Sequence, residues 1–168
     1  QALRSFPRPC GGPLTPPART VKAAGQQGNE KMAKYAVAYA LAAIIFGAMD
    51  AVWLSWAGPN LYEPTIGEIM AENFNVKAAG AFYFIYLAGM VYFGVRPGLQ
   101  AGSALVALVN GALLGALCYA TFDLTSQAVF KVWATHISLM DIAWGAFATG
   151  TTSGLTAALT LKLTQAKA

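Results

Sequence analysis

Cysteine and histidine are almost missing from this chain: Cys10, Cys118 and His136 are all there are. Two cysteines, one in a proline-rich tail and one inside an apolar run, give no disulfide framework and no metal-ligand spacing. A single histidine excludes a multi-histidine metal centre within one chain. No metal is expected, and with no cofactor motif no cofactor is expected. Charge is also thin. Only 11% of the residues are charged, against about 25% in soluble domains. The basic residues are not gathered with aromatics on one face, so the net charge of +4 does not suggest nucleic acid. What is present is apolar sequence. The chain is 57% hydrophobic, with mean hydropathy +0.50 and four long apolar runs, the composition of a one-domain polytopic membrane protein.

Residues 1–31 are of another kind. As far as Gly28 they hold Pro7, Pro9, Pro13, Pro16 and Pro17, four basic residues (Arg4, Arg8, Arg19 and Lys22) and no acid. The apolar core of a secretory signal is missing. The segment reads as a disordered tail. It is either an organelle transit remnant or translated upstream sequence ahead of Met32-Ala33-Lys34, and the second reading is preferred. Residues 32–164 then form the transmembrane domain.

The expected fold is all-α, an integral membrane four-helix bundle. A spanning helix takes about 20 apolar residues. The runs fall at about 35–56, interrupted by Asp50; 78–95, stopped by Arg96-Pro97-Gly98; 101–121; and 137–161, interrupted by Asp141 and closed by Lys162. A single continuous run in lipid must be helical, because each backbone group has to be satisfied within the segment. Positive charge sets the sidedness. With the N-terminus inside, Lys31, Lys34, Arg96, Lys162 and Lys167 are cytoplasmic. Only Lys77 and Lys131 are outside, and Glu63, Glu68 and Glu72 share the first external loop. The topology is therefore N-in, C-in. Short interfacial helices are expected in both external loops. One covers residues 65–73, opened by a Thr65-x-x-Glu68 capping box. The other, 126–135, is either a helix of its own or an extension of the fourth span. Asn75 is placed to cap the second span.

Two of the runs carry the same five-residue pattern, Met49-Asp50-Ala51-Val52-Trp53 and Met140-Asp141-Ile142-Ala143-Trp144. An aspartate at bilayer depth costs roughly 2.5–3.5 kcal/mol on insertion scales, so it is rarely left without a partner or a task. The topology puts Asp50, Asp123 and Asp141 at one depth, in the outer half of the bilayer or at its surface. The two patterns run antiparallel, as in a short inverted repeat. Spacing brings the acids inward too. Ala107, Gly111, Gly115, Tyr119 and Asp123 form an i, i+4 row, with Gly111-x-x-x-Gly115 allowing close helix approach. Asp141, Gly145, Ala148 and Thr152 form a small, polar stripe, and Asp50 shares a face with Gly47 and Trp53. The candidate site for a ligand or a proton is Asp50, Trp53, Tyr119, Asp123, Asp141 and Trp144. Tyr83, Tyr86 and His136 stand behind it.

Each of these has a plainer reading. A carboxylate bonded to an indole and a phenol pins two helices with no chemistry involved. Tyr83, Tyr86 and Trp53, taken singly, are interfacial belt aromatics. His136 reads as interfacial, Asn110 as an interhelical hydrogen bond, and Cys118 as a small buried residue. Three acids at one depth nevertheless exceed what packing needs.

Several runs match a known pattern: Met49-Asp50-Ala51-Val52-Trp53-Leu54, Leu61-Tyr62, Tyr119-Ala120-Thr121-Phe122-Asp123-Leu124-Thr125, Trp133, and Asp141-Ile142-Ala143-Trp144-Gly145. Over about residues 32–161 the chain resembles domain-of-unknown-function family 2177, small predicted membrane proteins of bacteria. The resemblance implies a compact four-helix protein of the bacterial inner membrane, or of an organelle membrane if the tail is a transit segment. It carries no activity. Three functions stay open. The first is an outer-leaflet site that binds or modifies a lipid or small molecule, with the acids as general acid and base if it is an enzyme. The second is a proton-coupled small-molecule transporter. The third is an accessory or assembly subunit docking through its glycine-rich face. Expected partners are membrane lipids and a second copy or another membrane protein, with no nucleic acid.

Overall fold

A computed structural model describes residues 18–165, with side chains from residue 28 onward. Two compact units divide at Ala33, and the site lies within the second, Lys34–Ala168. The described elements are all helical. α1 (Ala18–Ala57) passes through a π-helical turn, Gly58–Tyr62, into the short α2 (Glu63–Ile66) and a 3-10 turn, Gly67–Ile69. α3 (Val76–Gly89) passes through a second π-helical turn, Met90–Val95, into α4 (Arg96–Ala101). α5 (Ala104–Val129) and α6 (Thr135–Gln165) follow. Three continuous helical runs are long and apolar enough to cross a membrane: Gly28–Ile69, Val76–Ala101 and Ala104–Val129.

Burial is inverted relative to a water-soluble bundle. Ile44, Ile85, Leu105, Leu113 and Leu117 are each about two-thirds exposed, while Asp50, Asp123 and Asp141 are buried. α1 buries one i, i+4 face, Ala38, Ala42, Phe46 and Asp50. Phe46 seats against Tyr83 and Tyr86 of α3. The tightest seam joins α5 to α6. A Cβ on Gly115 would meet the Gly145 carbonyl oxygen at 2.0 Å, and one on Gly111 would meet Ser153 Oγ at 2.4 Å. The small residues read from the sequence as helix contacts thus meet each other, and backbone approaches backbone because neither has a side chain in the way.

Several boundaries differ from expectation. Arg96-Pro97-Gly98 does not stop the second span; the chain stays helical to Ala101 and ends on Gly102, whose φ of 63° is left-handed. A proline ring inside a helix crowds the carbonyl four residues back. For Pro97 that carbonyl belongs to Phe93, inside the wide π-helical turn; for Pro64 it belongs to Asn60, inside the other. Both turns open the helix where the ring needs space. The first-loop helix begins at Glu63, earlier than expected, and Thr65 does not cap it: its hydroxyl donates back to the Leu61 carbonyl. Asn75 does cap α3, accepting from the Ala78 amide. Residues 126–129 extend α5 rather than forming a helix of their own, and α6 starts at Thr135. Part of the segment read as a tail, from Ala18 on, is helical; residues 1–17 lie outside the described residues.

Candidate functional site

The two Met-Asp-x-x-Trp segments meet through their indoles. The rings of Trp53 and Trp144 stack at 4.6 Å between centroids and 7° between planes. The indoles do not serve the carboxylates directly. Trp53 Nε1 donates to the Tyr62 hydroxyl at 3.2 Å, and that hydroxyl donates to Asp141 Oδ1 at 2.6 Å. Trp144 Nε1 is buried without a partner among the described residues. Tyr62 was not picked out as a site residue from the sequence, because it lies past the end of the first apolar run. The π-helical turn at Gly58–Tyr62 carries it back over α6, and its place in the Leu61-Tyr62 pair of the family pattern was the available signal.

The three acids do not form one cluster. Asp50 receives a short hydrogen bond from the Tyr83 hydroxyl. The Tyr86 hydroxyl pairs with Thr149 Oγ1 at 2.7 Å rather than with an acid. Asp123 lines the same cavity as Asp141. It is wholly buried, and neither of its oxygens has a hydrogen-bond partner among the described residues. Tyr119 stands one turn before Asp123, its ring packed over Gly145. His136 is exposed.

Asp123 and Asp141 line a cavity of about 840 Å³. Its walls are Ile66, Phe82, Phe122, Phe130 and Trp133, together with Tyr62, Tyr86 and Tyr119. Ser126, buried, joins the two acids on the floor, whereas Phe82, Phe122 and Phe130 are well exposed and form an apolar rim with Ile69 and Met70. Asp50 does not line it. The volume falls in the range of about 300–1,000 Å³ usual for small-molecule sites, which are also mostly apolar with a few polar groups. Carboxyls over an apolar cavity can accept hydrogen bonds, hold a cation or pass a proton. Among the described residues, no three His, Cys, Asp or Glu side chains converge as a metal site would require.

No curated protein and no solved structure matches the chain. One family does, described as a predicted membrane protein, over residues 35–158, which takes in every residue of the cavity. The chain is a member of that membrane-protein family, DUF2177.

Proposed function

We propose that this protein is a four-span bundle of the bacterial inner membrane, N-in and C-in, whose cavity in the outer half of the bilayer binds an amphiphile, a lipid or a lipid-like small molecule, by its head group. The observation that carries this reading is Asp123. Evolution rarely leaves a carboxyl wholly buried with two unpartnered oxygens unless something else satisfies it, and this residue lines a cavity of about 840 Å³ with an apolar rim. An aliphatic chain suits the rim and a polar head suits the floor.

α6 is the fourth span in this reading. It is less apolar than the other three runs because its polar residues face inward: Ser138, Asp141, Thr149, Thr152, Ser153, Thr156 and Thr160 are all buried. The same row favours binding over passage through the membrane. Beyond the cavity, Ser153 is wedged against Gly94 and Gly111, where an added Cβ would lie 2.6 and 2.4 Å from its hydroxyl.

The test is to purify the protein in polymer-bounded discs of its own membrane and compare the bound lipids and metabolites with the bulk membrane by mass spectrometry. An amphiphile should be enriched on the natural chain and depleted on Asp123→Asn and on the cavity-filling Ser126→Trp. Equal composition in all three samples would defeat the reading.

A further inference from the structure

The floor of the cavity says what kind of head group it takes. Asp123 offers two oxygens with no donor, and the oxygen of Asp141 that is satisfied already takes its bond from Tyr62. Asp141 lines the same cavity, both carboxyls are acceptors when ionised, and no Lys, Arg or His is among the lining residues. An anionic head such as a phosphate or carboxylate brings further acceptors and negative charge to acids that need donors. A neutral hydroxyl could donate once. The walls point the same way. Tyr62, Tyr86, Tyr119 and Trp133 line the cavity with the acids, and aromatic faces attract cations.

We propose that the occupant is an amphiphile with a primary ammonium head, whose N–H groups donate to Asp123 while its aliphatic chain leaves through the Phe82, Phe122 and Phe130 rim. This rests on the amphiphile-binding reading above and narrows it. The N–H groups are essential, because a quaternary ammonium would bring charge but leave the Asp123 oxygens unpartnered. A primary ammonium supplies three donors and a charge at once.

The probes are dodecylamine, protonated at neutral pH as lysine is, and three twelve-carbon controls. Dodecyltrimethylammonium has the charge without N–H groups. Dodecanol has neither charge nor ammonium. Lauroyl lysophosphatidylethanolamine has the ammonium behind a phosphate. Each is titrated into the full chain in phosphatidylcholine nanodiscs, read by tryptophan fluorescence, since Trp133 lines the cavity. Dodecylamine should bind about tenfold or more tightly than dodecanol and dodecyltrimethylammonium, a gap of about 1.4 kcal/mol. Asp123→Asn should erase that gap. Asp50→Asn, changing an acid outside the cavity, should preserve it and show that the loss is not a general effect of removing a buried charge. The lysophospholipid should bind no better than dodecanol; if it matches dodecylamine, the ammonium inference holds and the source is the membrane's own aminophospholipid. If the twelve-carbon probes all bind alike and Ser126→Trp abolishes them all, the ammonium inference is wrong and the cavity reading stands. If no probe binds, both fall.

Discussion

Asp123 is the residue at which packing and function predict opposite outcomes. A carboxyl that pins helices should weaken the fold when replaced. A carboxyl held unpartnered beside another carboxyl should strengthen it, since an unsatisfied buried polar group costs about 1–3 kcal/mol, more if charged. Asp123→Asn, which can donate to Asp141, is therefore expected to raise thermal stability by on the order of 1 kcal/mol while removing amphiphile binding. A fall in melting temperature would assign Asp123 to structure. Tyr62 behaves the other way. It links Trp53 to Asp141, so Tyr62→Phe should cost about 1.5–3 kcal/mol, the range for hydrogen bonds to charged groups. Pairing it with Trp53→Phe should cost less than the sum of the two singles, measured as a double-mutant cycle. Asp50 has its own partner, Tyr83, and does not line the cavity. Asp50→Asn and Asp123→Asn should consequently add to within about 0.5 kcal/mol.

Between elements, the α5–α6 seam depends on the absence of side chains. Gly115→Ala would drive a methyl into the Gly145 carbonyl, whereas a Cβ on Gly80 in α3 meets nothing within 4 Å. The first change should destabilise by about 1–3 kcal/mol or more, as overpacking does. The second should be neutral or stabilising by up to about 1 kcal/mol, since alanine is the better helix former. Thermal melting of the two variants side by side reads this, and equal effects would mean that the seam is looser than its geometry. This seam was legible in the sequence because one i, i+4 row carries Gly111, Gly115, Tyr119 and Asp123 and another carries Asp141 and Gly145, and helical periodicity alone puts each row on one face. The helix ends were less legible. Arg96-Pro97-Gly98 reads as a stop, but a π-helical turn makes room for the ring, and local sequence does not announce such a turn. The pairing within the site was hidden for the same reason. Tyr62 reaches Asp141 only because a similar turn redirects the chain after α1, and depth alone does not separate Asp50, with its own tyrosine, from the two acids that line the cavity.

At the scale of the whole molecule, the proposed orientation places the cavity toward the external side. A reporter fused after Lys162 should behave as cytoplasmic and one inserted near Pro59 as external; the reverse would move the cavity to the inner leaflet. The central claim is that an amphiphile occupies the space above Asp123 and Asp141, not the general lipid-facing surface. Photolabelling maps this directly. A dodecyl amphiphile carrying a diazirine beside its head group is irradiated with the protein in nanodiscs, and the labelled peptides are sequenced. The account predicts labels on the cavity segments, around Tyr62–Met70 and Phe122–Phe130, that are lost in Ser126→Trp and competed by unlabelled amphiphile. Labels spread along the exposed face of α5 at Leu105, Leu113 and Leu117, unaffected by Ser126→Trp, would contradict it.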